Sequence, residues 1–539
     1  MNTVESMVFE GKSLSSEQLA IVNAFNTGKN LLVSARAGTS KSFTMLSCAS
    51  QSTRNGLFLS FNKRDAESSS KRAKDIKKLT VKTIDSFVYE LYRNNHCRTA
   101  KVCFKLYSYT QWADMSGFDA VEKAFSYNNK KIFAKLTPYY AGTLLEELVR
   151  VIIITPGIEQ SIQDLKRVAN DTILFIASRV AYGHRYKFVK NHQIDDKAYK
   201  EFRDGVKDFA KKELINVVYK AKTIAARLIQ QAHDNKIKSL TLDIMARVIF
   251  DNKLQINQLG YDYVIVDEFQ DVSMVILKLI NDQSKIQIVA VGDERQEIYR
   301  WRGADEAMSK FDHIVKLELT VAYRYSKTIA EQAKQIINAE INAVKPHDEN
   351  TYNTNAADVN LSAIDIVLAE TNDVLLGTAL ILLEAGLSPK IAKDSAAMAK
   401  GFLNDYVSRK LGNYDWKNRF HCLKNSEFDE FIFKGVEGAI VKFICDGGTT
   451  IKVDRLQILT EALDNTNAGK AGKKCVELRT IHTSKGGEWD NILVLYKPVN
   501  NPKGEFEHKN LMYVAITRAK NICNYIEAAE FFCHHGLDY

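Results

Sequence analysis

Apolar and polar positions along the chain fall into two alternating patterns. Short apolar runs occur at Asn30-Leu31-Leu32-Val33, Gly56-Leu57-Phe58-Leu59, Tyr263-Val264-Ile265-Val266 and 286–291, and again at 476–478 and 492–496. Each is followed by a polar or glycine-containing turn and then by helical periodicity. Strands alternating with helices predict parallel sheets covered on both faces. Two stretches interrupt the alternation. Residues from about 90 to 255 read mostly as helix, including one long run from Ala198 to Asp234, and residues from about 395 to 474 are mixed. The second stretch contains the softest linker, Asp464-Asn-Thr-Asn-Ala-Gly-Lys-Ala-Gly472. No repeat of about 20–50 residues is visible. The predicted fold class is therefore α/β, with two parallel-sheet cores that each carry an insertion. The expected boundaries are 1–90 with 256–300 for the first core, 91–255 for its mostly helical insertion, 301–394 with 475–539 for the second core, and 395–474 for a small second insertion.

Composition narrows the class without naming a function. With 45% apolar and 26% charged residues in 539, the chain has the balance of a globular protein of several domains. No apolar run reaches about 18 residues, so no membrane span is expected. The start Met1-Asn2-Thr3-Val4-Glu5 lacks the basic and apolar regions of a secretory leader, which makes a cytosolic location the expectation. Only 6 prolines occur, where average usage would give about 27, and long helices follow. The 8 cysteines include no C-x-x-C pair, and Cys533-His534-His535 has no matching ligand pair elsewhere. Reduced thiols are expected, and a zinc site is not.

The net charge of +9 is unevenly distributed. Most of it falls between Arg179 and Lys238, where Tyr182, Tyr186, Phe188, Tyr199, Phe202, Phe209 and Tyr219 are interleaved with the basic residues. Such a segment suits a nucleic-acid backbone, because its cations release counterions from phosphates. It equally suits a helical domain with a solvated basic face over a buried aromatic stripe.

Three strand ends carry candidate chemistry. After the first run comes Ser34-Ala35-Arg36-Ala37-Gly38-Thr39-Ser40-Lys41-Ser42. A phosphate loop needs inward backbone N–H groups ahead of a helix, a lysine for the β/γ-phosphates and a hydroxyl for Mg2+. Gly38, Lys41 and Ser42 supply much of this, although Ala35 and Ser40 stand where the strict pattern has glycine. A plain strand-to-helix turn with a surface lysine would read the same. The run Tyr263–Val266 ends in Asp267-Glu268-Phe269-Gln270-Asp271, placing one carboxylate near a metal and another near a water. The third site is Gly292-Asp293-Glu294-Arg295-Gln296-Glu297-Ile298-Tyr299-Arg300-Trp301-Arg302-Gly303-Ala304. Here Gln296 is placed for a γ-phosphate, while Tyr299 and Trp301 offer faces for base stacking, unless they are core aromatics.

Taken in order, these residues resemble a superfamily 1 DNA helicase of the UvrD/Rep/PcrA group, which includes the F-box DNA helicases. Asp267–Asp271 resembles its D-E-x-Q-D box, and Gly292–Ala304 its G-D-x-x-Q-x-I-Y-x-[FW]-R-G-A box. Leu14-Ser-Ser-Glu17-Gln18, Leu59-Ser60-Phe61-Asn62-Lys63 and Leu319-Thr-Val-Ala-Tyr323-Arg324-Tyr-Ser326 resemble further motifs in family order. So do Thr480-Ile-His482-Thr-Ser-Lys485-Gly486-Gly487-Glu488-Trp-Asp490 and Asn510-Leu-Met-Tyr513-Val514-Ala-Ile-Thr517-Arg518-Ala519. The matches run from residue 14 to residue 519 and cover nearly the whole chain.

The resemblance implies two RecA-like cores and ATP with Mg2+ as cofactors. It places Gln18 and Tyr323 on the adenine and Glu488 on the ribose. Ala37, Gly38, Thr39, Ser40, Lys41 and Ser42 would hold the triphosphate, with Ser42 and Asp267 on the metal. Glu268 would be the general base and Gln296 the γ-phosphate sensor, and Arg324 and Arg518 would be arginine fingers. Phe61, Asn62, Thr83, Tyr299, Trp301 and His482 would contact DNA. The implied partners are single-stranded DNA and single/double-strand junctions, with single-strand-binding or replication proteins as candidate protein partners and travel 3′ to 5′. Four departures stand out: Ser40 for the glycine before the lysine, Arg36 for a small residue, Asp85 for a histidine in Thr83-Ile-Asp85-Ser86, and Gly487 for a leucine. Ser40 leaves open an ATP-gated single-strand-binding protein with weak or lost hydrolysis, and contacts independent of base identity leave open an RNA helicase.

Overall fold

The computed structural model describes residues 7–537 except 284, 299–306, 392, 413–419, 421–427, 429–432, 434, 447, 465–473 and 500–504. By density of contacts the chain divides into two units. The first comprises Met1–Ala35, Lys41–Lys190 and Ile194–Leu319; the second comprises Arg36–Ser40, Asn191–Gln193 and Thr320–Tyr539.

The apolar runs of the first unit form a six-stranded sheet. Its order is Val315–Leu319, Leu31–Ala35, Gln287–Gly292, Tyr263–Val266, Gly56–Ser60 and Leu79–Thr83, with every pairing parallel. The runs are continuously apolar because both faces are covered. Leu32, Leu57, Leu59, Val264, Val266 and Ile288 pack into one core, while Leu31, Val33, Phe58, Ile265, Val289 and Val291 pack into another. In register, Ser34 lies opposite Gly292, Val266 opposite Ala290 and Leu59, and Ser60 opposite Thr83. The carboxyl ends of these strands therefore align, and the segments that follow them emerge at one edge of the sheet, where open α/β sheets hold their ligands.

The first core cluster continues into the predominantly helical stretch. Two differences from the sequence reading appear there. An antiparallel hairpin, Val121–Tyr127 with Lys130–Leu136, interrupts the helices; its short alternating strands are masked by lysines at exposed positions. The long run from Ala198 to Asp234 divides into Asp196–Leu214 and Val217–His233. The junction falls in Ile215-Asn216-Val217-Val218, a cluster of β-branched residues and asparagine that propagates a helix poorly. Burial also separates the aromatics of the basic segment. Tyr186, Phe188, Phe202 and Phe209 are buried, with the rings of Phe188 and Phe202 4.9 Å apart, whereas Tyr182 and Tyr219 are exposed. Most of the aromatic stripe is core, while Lys190, Lys200, Lys211, Lys212, Lys220, Lys222 and Arg227 are exposed.

In the second unit the sheet order is Tyr352–Asn353, Ala519–Glu527, Trp489–Tyr496, Ile366–Ala369, Cys475–Thr480 and Ser388–Lys390, again entirely parallel. The mixed stretch contributes the helices Lys393–Lys410, Gly435–Cys445 and Val453–Leu463. Beyond Asp464, the expected linker lies outside the described residues. Among the described residues no helix is long and apolar enough to cross a membrane.

Candidate nucleotide and nucleic-acid site

In the first unit, the second and third strand-end motifs meet the start of the helix Lys41–Ser50. Ser42 Oγ donates to Asp267 Oδ2 at 2.8 Å, and Lys41 Nζ lies 3.4 Å from Glu268 Oε1. Gln270, which the sequence reading quoted without a role, joins the motifs. Its Nε2 donates to Glu268 Oε2 at 2.5 Å, and its Oε1 accepts from Asp293 N at 3.0 Å. Asp293 in turn accepts from Gln296 Nε2 at 2.8 Å. Gly292 makes this possible: a Cβ there would sit 2.3 Å from Gln270 Oε1. The only advance signal for Gln270 was its place in the acidic box. Gln18 is buried and shares a capping box with Ser15, while its Nε2 donates to Thr44 Oγ1 at 3.2 Å.

Asp267 is fully enclosed. Desolvation, and after it the neighbouring Glu268 charge, push its carboxyl up to about 6, against the opposing pull of Lys41 and the Ser42 hydroxyl. A buried carboxylate held this way gains from a cation. The oxygen donors Asp267 and Ser42 suit Mg2+, which is bound through one or two protein oxygens together with substrate phosphates. Among the described residues no group of three or more His, Cys, Asp or Glu is arranged to cage a metal by itself, so those phosphates would be needed.

The phosphate loop itself is strained at one position. Ser40 has φ +63°, the left-handed region in which glycine is at ease and a Cβ is not. Glu268 shares that conformation at φ +54°. Holding a non-glycine residue there costs roughly 1–3 kcal/mol. Ser40→Gly is therefore expected to raise stability by about 1 kcal/mol and to raise ATP turnover or nucleotide affinity. Denaturant unfolding and steady-state turnover check this, and a fall in both would show a loop adapted to serine.

Arg36–Ser40 group with the second unit. There Ala37 N donates to Tyr513 Oη at 2.8 Å, Tyr325 Oη donates to Ala37 O at 2.8 Å, and Tyr323 N donates to Gly38 O at 2.8 Å. Thr39 Oγ1 donates to Arg36 O at 2.7 Å. A Cβ on Gly38, at φ +75°, would meet Arg324 Cβ at 3.0 Å, so the loop demands glycine at that point. The sequence alone gives Tyr325 and Tyr513 no role of their own, although both lie inside the family-like motifs at 319–326 and 510–519.

The second unit also gathers Arg324, Glu488 and Arg518. Arg324 pairs with Glu488 and donates from Nη1 to Thr517 O at 2.8 Å. Arg518 is buried and donates from Nε to Val514 O at 2.9 Å and from Nη1 to Gly487 O at 3.5 Å. Tyr323 is exposed. The Gly487 departure has a packing cause: a Cβ there would lie 2.1 Å from the Trp489 ring, which occupies the space a larger side chain would take.

The positions expected to meet DNA divide. Phe61 is half-buried against the first core. Asn62 caps the helix Lys63–Arg72, accepting from Asp65 N at 2.9 Å, and Thr83 caps Ile84–Asn95, accepting from Ser86 N at 3.0 Å. These caps are local structural duties that the motif reading did not assign. His482 is half-buried in the short helix Ile481–Ser484 that follows the strand Cys475–Thr480. Tyr299 and Trp301 lie outside the described residues.

Two parallel α/β sheets, together with a lysine loop and an acidic strand end, define a P-loop nucleotide-binding protein. Residues 14–316 match the UvrD/REP helicase N-terminal domain and residues 442–524 the UvrD-like helicase C-terminal domain, and the chain belongs to the UvrD-like helicase family. It is similar to F-box DNA helicase protein 1 of Schizosaccharomyces pombe, with 25% identity over 290 residues, which is 48% of this chain and 33% of the relative. The ATP-dependent DNA helicase PcrA of Leuconostoc citreum is 29% identical over 159 residues, 28% of this chain and 20% of the relative. DNA helicase II of Haemophilus influenzae is 35% identical over 106 residues, 18% of this chain and 15% of the relative. The matched regions thus span a third or less of these relatives.

Proposed function

We propose that the chain is an ATP-dependent DNA helicase that moves 3′ to 5′ along single-stranded DNA and opens duplex at single/double-strand junctions. The observation that carries this reading is the paired contact of Lys41 with Glu268 and of Ser42 with Asp267 at one edge of a parallel sheet. In this reading the first core comprises 1–90 and 256–319, its expected end at 300 moving to 319 because Val315–Leu319 pairs with Leu31–Ala35 in the first sheet; 91–255 is its basic insertion, 320–394 with 475–539 the second core, and 395–474 a reduced insertion.

Mg2+, when bound, supplies charge neutralisation at the β- and γ-phosphates. The chain's own residues do the rest. Gln18 and Tyr323 bind adenine, Ala37–Ser42 the phosphates, and Glu488 the ribose. Lys41 neutralises phosphate charge, while Glu268, oriented by Gln270, takes the proton of the attacking water. Gln296, held by Asp293, registers the γ-phosphate. Arg324 and Arg518 stabilise charge that develops in the transition state. Phe61, Asn62, Thr83, Tyr299, Trp301 and His482 contact the strand, by stacking and phosphate contacts that grip without reading sequence.

ATP turnover with and without single-stranded DNA, followed by strand displacement on substrates with 3′ or 5′ overhangs, tests the proposal. Stimulated turnover with displacement only from the 3′ overhang supports it. Nucleotide-gated binding without turnover would instead favour a non-hydrolysing DNA-binding protein, the reading to which the strained Ser40 lends weight. Stimulation by RNA alone would make the substrate RNA. Neutralising Lys220, Lys222 and Arg227, exposed on the helix Val217–His233, is expected to flatten the salt dependence of DNA binding by roughly one unit of log–log slope per lost phosphate contact. An unchanged slope would make that face merely solvated.

A further inference from the structure

Beside Phe61, a cavity of about 320 Å3 opens in the first unit, with Asp85, Arg150, Leu242, Asp243 and Ile276 in its walls. Its volume is at the small end for ligand pockets, which run from about 300 to 1,000 Å3. One wall is aromatic, others are aliphatic, and the polar groups are the carboxylates of Asp85, Asp243 and Asp271, the Ser273 hydroxyl and the Arg150 guanidinium. Arg150 Nε lies 3.6 Å from Asp243 Oδ2, and its Nη1 lies 3.9 Å from Glu147 Oε1. One guanidinium thus faces two carboxylates. Asp85 is exposed and, among the described residues, has neither a hydrogen-bond nor a cation partner. Its carboxyl is raised by desolvation and by the nearby Asp243 charge.

We propose that this cavity admits a single nucleobase of the bound strand and favours bases with an exocyclic amino group, with Asp85 accepting from that amine and Phe61 packing on the ring. The inference rests on the proposed DNA-binding reading and departs from it at one position, where a contact that depends on base identity joins a grip that otherwise reads no sequence. Carboxylates accept from the cytosine N4 amine, and guanine offers N1–H and N2–H side by side. Adenine offers its N6 amine to the same acceptor. Thymine has no amine: its one ring N–H is flanked by two carbonyl oxygens, which repel a carboxylate. Asp85 is thus a candidate specificity residue where the family resemblance would place histidine.

The test is fluorescence anisotropy of the full chain with oligo-dT and with a dT strand of equal length in which alternate positions are dC. Tighter binding of the dC-containing strand by about fivefold or more is expected, with the ratio falling to about one in Asp85→Ala. If Asp85→Ala does not fold, the isosteric Asp85→Asn is read the same way, and its ratio is expected to narrow. Equal affinity for both strands in the native chain overturns the proposal, as does a preference that survives both substitutions. Failure to bind either strand would instead overturn the DNA-binding reading beneath it.

Discussion

Glu268→Gln is expected to lower ATP turnover by about 10³-fold while leaving binding of single-stranded DNA largely intact. A positioned general base contributes roughly 10²- to 10⁴-fold. The substitution preserves size and one acceptor oxygen but removes the charge to which the proposed mechanism assigns the water's proton. It also alters two contacts seen in the structure, the 3.4 Å approach of Lys41 Nζ and the 2.5 Å hydrogen bond from Gln270. Losing the neighbouring negative charge relieves one of the causes that raise Asp267, so the buried site is not destabilised electrostatically. A drop in turnover without a drop in unfolding midpoint is therefore the expected signature. Lys41→Ala should reach the same loss by weakening phosphate binding, with a rise in the nucleotide concentration needed for half-maximal rate. Turnover within a factor of a few of the native value in Glu268→Gln would show that another group activates the water.

Arg324→Ala should cost about 10³-fold or more in turnover, the range of an arginine finger. The geometry of the second unit makes Arg324 the cleaner test of the two arginines. Its side chain is 17% exposed, and its contacts are the Glu488 carboxylate and one carbonyl, that of Thr517. Arg518 is buried and donates to the carbonyls of Val514 and Gly487, so truncating it takes a donor from Gly487 O and leaves Val514 O with the Thr517 hydroxyl, at a cost of about 1–3 kcal/mol. Thermal unfolding separates the two cases: Arg324→Ala should lose activity with little change in midpoint, whereas Arg518→Ala should lose both. Glu488→Gln, which weakens the hold on Arg324, should cost far less turnover than Arg324→Ala. If Arg324→Ala keeps most of its turnover, the guanidinium serves the Glu488 pair and nothing more.

The parts of the site legible in advance are those that depend on residue type and local order. Lys41 and Ser42 after an apolar run, Asp267-Glu268 after another and Gln296 after a third announce a phosphate site, because each strand end delivers its polar group to the same edge of a parallel sheet. What stayed hidden depends on partners distant in sequence. Gln270 is an ordinary glutamine until the strand Gln287–Gly292 brings Asp293 N to its oxygen. The capping duties of Asn62 and Thr83 show only once their helices place the Asp65 and Ser86 backbone N–H groups against them. The hairpin Val121–Tyr127 with Lys130–Leu136 is hidden because charged Glu122, Lys123, Lys130, Lys131 and Lys135 at its exposed positions leave few apolar residues to mark the alternation.

The amino-acid order alone determined the α/β class, the pairing of a lysine loop with an acidic strand end, and the series of motifs that marks the family. Periodicity and residue chemistry act over a few neighbours, and a few neighbours suffice for those features. Only the tertiary structure decided that Ser40 and Glu268 sit at positive φ, that Gly487 yields its space to the Trp489 ring, and that Asp85, Asp243 and Arg150 share one cavity with Phe61. Those outcomes are set by close packing between segments far apart along the chain, where a difference of one methyl group or one charge decides which arrangement survives.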